Sequence, residues 1–232
     1  MADLMAIIGR ARTLAQVQGG LLDGADEEQA VREALSRYSQ DAPRQVVVDL
    51  IGDGSTSAFS LPSPFDSASS IVLAVEFPAG RRPAEYLPPG DWVLYRAPSG
   101  VQLRLERATP GAGEVVRVTF TAGHTVDGLD GATETTVPVA HEEALVTLVA
   151  ARLLFRLAAR FLHDREPVLA DAVIDRQSRA MDALRLASEL ESRYREQIQS
   201  LAAAAGTVPA AGTVVEWDVP GSIVLTHWGR TS

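Results

Sequence analysis

Apolar residues recur every three or four positions at both ends of this chain and alternate with polar ones in its middle. Leu4, Ile7, Ile8, Ala11, Leu14 and Ala15 fall on one helical face, and Gly19-Gly20 is expected to stop that helix. A second stripe, Ala30, Val31, Ala34, Leu35 and Tyr38, predicts another helix. Asp26 with Gln29 reads as its capping box, and Glu27 and Glu28 suit its positive end. Asp41-Ala42-Pro43 ends it, because the residue before a proline disfavours helical backbone.

From about residue 44 to 139 the texture changes to short apolar runs rich in Val and Thr, broken by Gly and Pro. The predicted strands are 45–51, 57–61, 70–77, 92–96, 101–106, 114–121 and 135–139. Gly52-Asp53-Gly54, Pro88-Pro89-Gly90-Asp91, Pro98-Ser99-Gly100 and Pro110-Gly111-Ala112-Gly113 separate several of them as turns. Asp53-Gly54 in particular predicts a hairpin between the first two strands. No helical pattern intervenes, so an antiparallel sandwich or small barrel is expected in place of βαβ units.

Helical periodicity returns at Ala144, Leu145, Leu148, Ala151, Leu154, Phe155, Ala158 and Leu162, predicting a helix over 140–163. A longer one follows over 169–204, with Val173, Ala180, Leu184, Ala187, Tyr194, Ile198 and Leu201 on one face and Glu191 interrupting it. At 1.5 Å per residue it would extend roughly 50 Å. After it, TVVEWDVPGSIVLTHW forms an apolar tail that is expected to dock on another surface. The expected fold is therefore α+β. A small helical bundle comprises two N-terminal helices (residues 1–43) and two C-terminal helices (140–205). An antiparallel β domain (44–139) is inserted between them, and an extended tail (206–232) follows.

Composition narrows the function. With 232 residues, 46% hydrophobic and 22% charged, the chain has the make-up of an ordinary globular protein. Its densest apolar stretch, 144–162, is interrupted by Arg152, Arg156 and Arg160, so no membrane span is expected. The N-terminus lacks a leader pattern, and synthesis in the cytoplasm is expected. The absence of cysteine excludes disulfides, thiolate nucleophiles and Cys-based metal sites. A net charge of −9 argues against a protein that grips nucleic acid. Every basic residue is arginine, which fits coding bias before it fits any chemistry.

Candidate chemistry is sparse. IGDGSTS lacks the lysine, the glycine spacing and the following helix of a phosphate-binding loop. His124, His141, His163 and His227 are scattered without metal-ligand spacing. The Asp127–Asp130 run is too poor in oxygen ligands for a calcium loop and reads as a turn. No nucleophile elbow occurs. No catalytic residue, metal or cofactor is predicted. Two features favour contacts with other proteins. Arg152, Arg156 and Arg160 form an i,i+4 row that reads first as the exposed face of a half-buried helix and otherwise as suited to subunit packing or to DNA phosphate. Trp217, Ile223, Leu225 and Trp228 are candidates for partner docking.

The order of elements, with the runs DEEQAVREALSRYSQDAPRQVVVDLIGDGS, FSLPSPFDSASSIVLAVEFPAG, GHTVDGLDGATETTVPVAHEEALVTLVAARLL and SRAMDALRLASELESRYREQI, resembles the head–tail connector (adaptor, neck) proteins of long-tailed bacteriophages, of the HK97-type. The inserted β domain departs from the smallest of these. The resemblance implies a non-enzymatic structural protein of the virion neck. It would form a homo-oligomeric ring, commonly of twelve copies, between the portal protein and the tail or next neck ring. DNA would pass without sequence-specific binding, and an acidic channel would repel its phosphates. A tail terminator is a related alternative. A β domain that recognises carbohydrate or a host surface through Tyr86, Trp92 and Tyr95 is another.

Overall fold

The computed structural model describes residues 2–17, 21–98, 100–163 and 170–204. Within them the fold is mixed α+β, with four α-helices and two three-stranded antiparallel sheets. The tail, with Trp217, Ile223, Leu225 and Trp228, lies outside the described residues.

Helix α1 (Leu4–Ala15) starts at Asp3, whose carboxylate accepts the Ala6 N–H at 2.8 Å, and ends one residue after Ala15 where Gln16 turns left-handed. Helix α2 (Gly24–Asp41) is capped by Asp23, whose carboxylate accepts the Asp26 N–H at 2.7 Å. The cap is thus three residues before Asp26, which occupies the first turn instead. Helix α3 (Glu142–His163) follows a single 3-10 turn, Val139–His141. It is apolar around most of its circumference, with every residue from Ala144 to Ala151 buried, because it is the central helix and touches the other three. Helix α4 (Ala170–Ala204) runs along it, and Tyr194, Leu190, Ala187 and Ala180 face the core.

Long-range contacts fix the bundle's sense. Arg156 of α3 meets Asp26 near the start of α2, while Tyr38 near its end meets His141. Arg152 meets Glu191, and Tyr194 meets Asp41. Helices α2 and α4 therefore both run antiparallel to α3, and both end beside its start. The β domain leaves and re-enters the bundle at that same end.

In the β domain, sheet A has the order β1 (Arg44–Ile51), β6 (Val115–Ala122), β3 (Val72–Glu76). Sheet B has the order β2 (Ala58–Ser60), β5 (Gly100–Leu105), β4 (Trp92–Ala97). Their inner faces enclose a second core of Phe59, Val75, Leu103, Val116, Val118 and Phe120, separate from that of the helices. Strands β1 and β2 do not form the expected hairpin. β1 pairs with β6 along its whole length, and β2 pairs with β5 in the other sheet. The Gly52–Ser57 loop crosses between sheets. Asp53 organises it by accepting the N–H groups of Ser55 and Thr56, each at 2.8 Å. Those bonds, that from the Ser55 N–H first, pull its carboxyl down to about 2. Gly52 is required by close approach, since a Cβ there would lie 2.6 Å from the Gly111 carbonyl oxygen and 2.7 Å from the Pro110 Cβ.

The expected strand over 135–139 is not one. Its alternation arises because Val137 is buried in the helical core and the buried Thr135 hydroxyl ties two chain segments together. That hydroxyl donates to the Ala2 carbonyl at 2.9 Å and accepts the Asp127 N–H at 3.0 Å. Val126 and Leu129 join the same core, so the whole 123–138 connection packs with the helices.

Candidate interaction surfaces

The arginine row occupies one side of α3. Arg152 bonds Glu191 of α4 at 3.0 Å, which accounts for a glutamate on the apolar side of that helix. Arg156 reaches Asp26 at 3.0 Å and also pairs with Glu33, both on α2. Arg160 donates to the Leu21 carbonyl at 2.7 Å, holding the connection between α1 and α2. The three guanidiniums thus engage partners within the chain, bracing α3 against three other segments. The row's spacing was legible in the sequence; its partners, 39 to 139 positions away, were not.

The expected turn over 126–131 is present. Gly128 and Gly131 adopt positive φ, as does Asp130, and the Leu129 N–H bonds the Val126 carbonyl at 3.0 Å. Asp130 forms a two-pronged pair with Arg32, and that guanidinium holds its carboxyl below the usual range. The Asp127 carbonyl accepts the Leu4 N–H at 3.0 Å. The loop thereby clamps the start of α1 and the middle of α2. Among the described residues no group of three or more metal-ligating side chains converges.

Sequence reasoning missed the junction between bundle and β domain. His124 sits just after β6. Its Nε2 faces the Ala42 carbonyl at 2.9 Å and its Nδ1 faces the Thr136 carbonyl at 3.1 Å. Its ring packs on Tyr38, centroid to centroid 4.9 Å, and its backbone N–H donates to the Ser39 hydroxyl oxygen at 2.9 Å. Tyr38 in turn bonds Nδ1 of His141 at 2.8 Å. A neutral imidazole has one N–H and donates to one of these carbonyls; through Nε2 it ties the exit from the β domain to the entry at Ala42. Burial lowers the pKa of His124 against the opposing pull of the two carbonyls, and burial lowers that of His141. Burial also raises the Tyr38 hydroxyl to about 12. Tyr194 donates to Asp41 at 2.9 Å, and burial with that neighbouring carboxylate raises its pKa. The signal available in the sequence was only two histidines and Tyr38 near element boundaries, with Tyr194 on the apolar face of α4.

Of the aromatic residues considered for carbohydrate, Trp92 is turned into the domain while Tyr86 and Tyr95 are exposed. Trp92 packs against the β core, Tyr95 lies under the Arg104 guanidinium at 5.5 Å, and Tyr86 makes an isolated bridge to Glu76. Two shallow open hollows occur instead on the bundle, one lined by Arg32, Arg37 and Arg152, the other by Glu143, Arg193 and Gln197. No helix among the described residues is long and apolar enough to cross a membrane.

The fold defines an α+β protein whose helical bundle carries an inserted two-sheet β domain. No protein-family model and no curated protein matches the chain. A solved structure described as the neck of an empty GTA particle, computed with C6 symmetry, is similar to it over 75% of this chain and 87% of its own, with 18% identity and a TM-score of 0.29. That likeness is distant.

Proposed function

We propose that the protein is a non-enzymatic neck component of a phage-like virion, a head–tail connector whose copies form a ring between portal and tail. The observation that carries this reading is the architecture. An up-and-down helical bundle holds a β domain inserted between its second and third helices, in the order of elements that resembles HK97-type connectors. The bundle is braced from within, with most of α3 buried and Arg152 and Arg156 paired to carboxylates of its neighbouring helices, which suits a rigid wedge of a ring. The net charge of −9 suits a channel that lets DNA slide. The tail, through Trp217, Ile223, Leu225 and Trp228, docks on the portal or the next ring in this reading. Ring size is set at twelve by the resemblance alone, and a tail terminator is the nearest alternative.

Mass measurement of the purified chain, alone and mixed with portal protein, tests the proposal. A complex with portal of defined stoichiometry is expected. A chain that remains monomeric and ignores portal would overturn it. Replacing Trp217 and Trp228 with alanine is expected to weaken incorporation into particles while far-UV ellipticity stays unchanged. Unaltered incorporation would remove the docking role.

A further inference from the structure

The β domain has two uncovered flanks. Strand β1 is an edge of sheet A and β4 an edge of sheet B, and among the described residues no other backbone pairs with the outer side of either. Both edges bury too little on both faces. On β1 the inward Val46, Val48 and Leu50 are only half-buried, while the outward Val47 is 56% exposed. On β4 the inward Leu94 and the outward Val93 are 38% and 41% exposed. Edge strands of soluble monomers are usually guarded by lysine, proline, bulges or short length. Strand β1 is eight residues long, has no proline or bulge and is charged only at Arg44 and Asp49, and β4 has no proline and is charged only at Arg96.

The two edges lie on opposite flanks. The outer side of β3 is occupied by residues 85–87, with the Leu87 N–H on the Val75 carbonyl at 2.8 Å and the Phe77 N–H on the Glu85 carbonyl at 3.0 Å. Only residues 88–91 separate that segment from β4, which places β4 on the β3 side of the domain and β1 on the other. The occupant must also suit the charge. Copies of a chain with net charge −9 repel one another except through neutral surface. The centres of both edges, Val46 to Val48 and Val93 to Tyr95, carry no charge, and Asp49 is already paired with Arg117 at 2.7 Å.

We propose that β1 of one copy pairs with β4 of the next, so that the β domains form the lateral contact between neighbouring subunits. Two unlike surfaces on opposite flanks make a head-to-tail contact, which closes into a ring when the rotation allows. The inference rests on the connector reading and names the surface that joins its copies. A single six-residue edge falls well short of the roughly 800 Å² per partner of a standard interface. Association in solution is therefore weak and concentration-dependent.

Sedimentation equilibrium of the full chain over a concentration series, with and without portal protein, tests it. Val47→Lys or Val93→Lys should each weaken self-association about tenfold or more, whereas Met181→Lys on α4 should not. Val47→Lys combined with Val93→Glu puts opposite charges at every β1–β4 contact and should recover association relative to either Lys variant. Far-UV ellipticity confirms that each variant is folded. Because the chain has no cysteine, Val47→Cys with Val93→Cys treated with a short bis-maleimide, which forms a thioether at each thiol, gives a second readout, a ladder of multimers. Unchanged association in both Lys variants, no recovery in the charge pair, a cross-linked product that stops at dimer, or a wild-type chain still monomeric at about 1 mM would each overturn the contact. Self-association that follows the edge variants without any portal binding would leave the contact standing and overturn the neck reading instead.

Discussion

At the scale of single residues, the chain spends its few special positions on joints. Gly52 stands where the 110–113 turn passes too close for a side chain. Gly52→Ala is expected to cost about 1–3 kcal/mol through overpacking, measured as a lower urea midpoint at unchanged slope. His124 and His141 give the fold a pH dependence whose sign follows from burial. Their folded pKa values lie below that of an unfolded histidine, so the unfolded chain binds protons first. Their contribution is complete above about pH 6.5 and is lost as pH falls through the lowered folded values. The urea midpoint should therefore drop between pH 7.5 and 5, and the drop should shrink in a His124→Gln/His141→Gln variant. An undiminished drop would assign the effect elsewhere. Tyr194→Phe removes one buried hydroxyl bond while Arg37 still pairs with Asp41 at 2.9 Å, so a loss of about 1 kcal/mol is expected.

At the scale of elements, periodicity carried most of the helices and strands, because those signals depend on neighbours three, four or two positions away. The spans of α3 and α4 follow from it within a residue or two, whereas α1 ends at Ala15, on a left-handed Gln16, short of the expected Gly19-Gly20 stop. What failed depended on distant partners or on a competing local signal. Asp23 caps α2 although Asp26 offered the better capping-box spelling, since Gly24 was free to join the helix. Asp53-Gly54 has the spelling of a hairpin turn, yet β1 bonds a strand more than sixty residues away. Thr135 and Val137 alternate like a strand because one serves a hydroxyl network and the other the helical core. The interaction surfaces were less legible still. The arginine row was visible, but not that it is tied to α2, α4 and the α1–α2 connection. The uncovered edges were invisible, because pairing order is not written in any one strand. Arg156→Ala tests the row: its carboxylate partners are well exposed, so stability should change by less than about 1 kcal/mol. A large loss of assembly with unchanged stability would then mark the row as a subunit contact.

At the scale of the whole molecule, two cores share one chain. Leu103 is fully buried in the β core and touches none of the helical one. Leu103→Ala should cost about 2–5 kcal/mol. In a background with Trp217 and Trp228 changed to Phe, Trp92 fluorescence reports the β domain alone. Its unfolding midpoint should fall while the ellipticity at 222 nm, dominated by the helices, holds near its original midpoint. Coincident shifts would show one cooperative unit in place of two.

The tie that His124 makes between exit from and entry to the β domain has an evolutionary corollary. The Ala42 carbonyl and the His124 ring are within hydrogen-bonding distance, so the chain enters and leaves the β domain through nearly one point. A segment with adjacent ends can be gained or lost as a cassette without moving what flanks it. Residues 44–122 replaced by a short Gly-Ser bridge, with 123–138 kept for the Val126, Leu129 and Val137 they give the helices, should leave a four-helix protein that still folds. The bundle would then be the ancestral body and the β domain a later, exchangeable acquisition, free to diversify at its own pace.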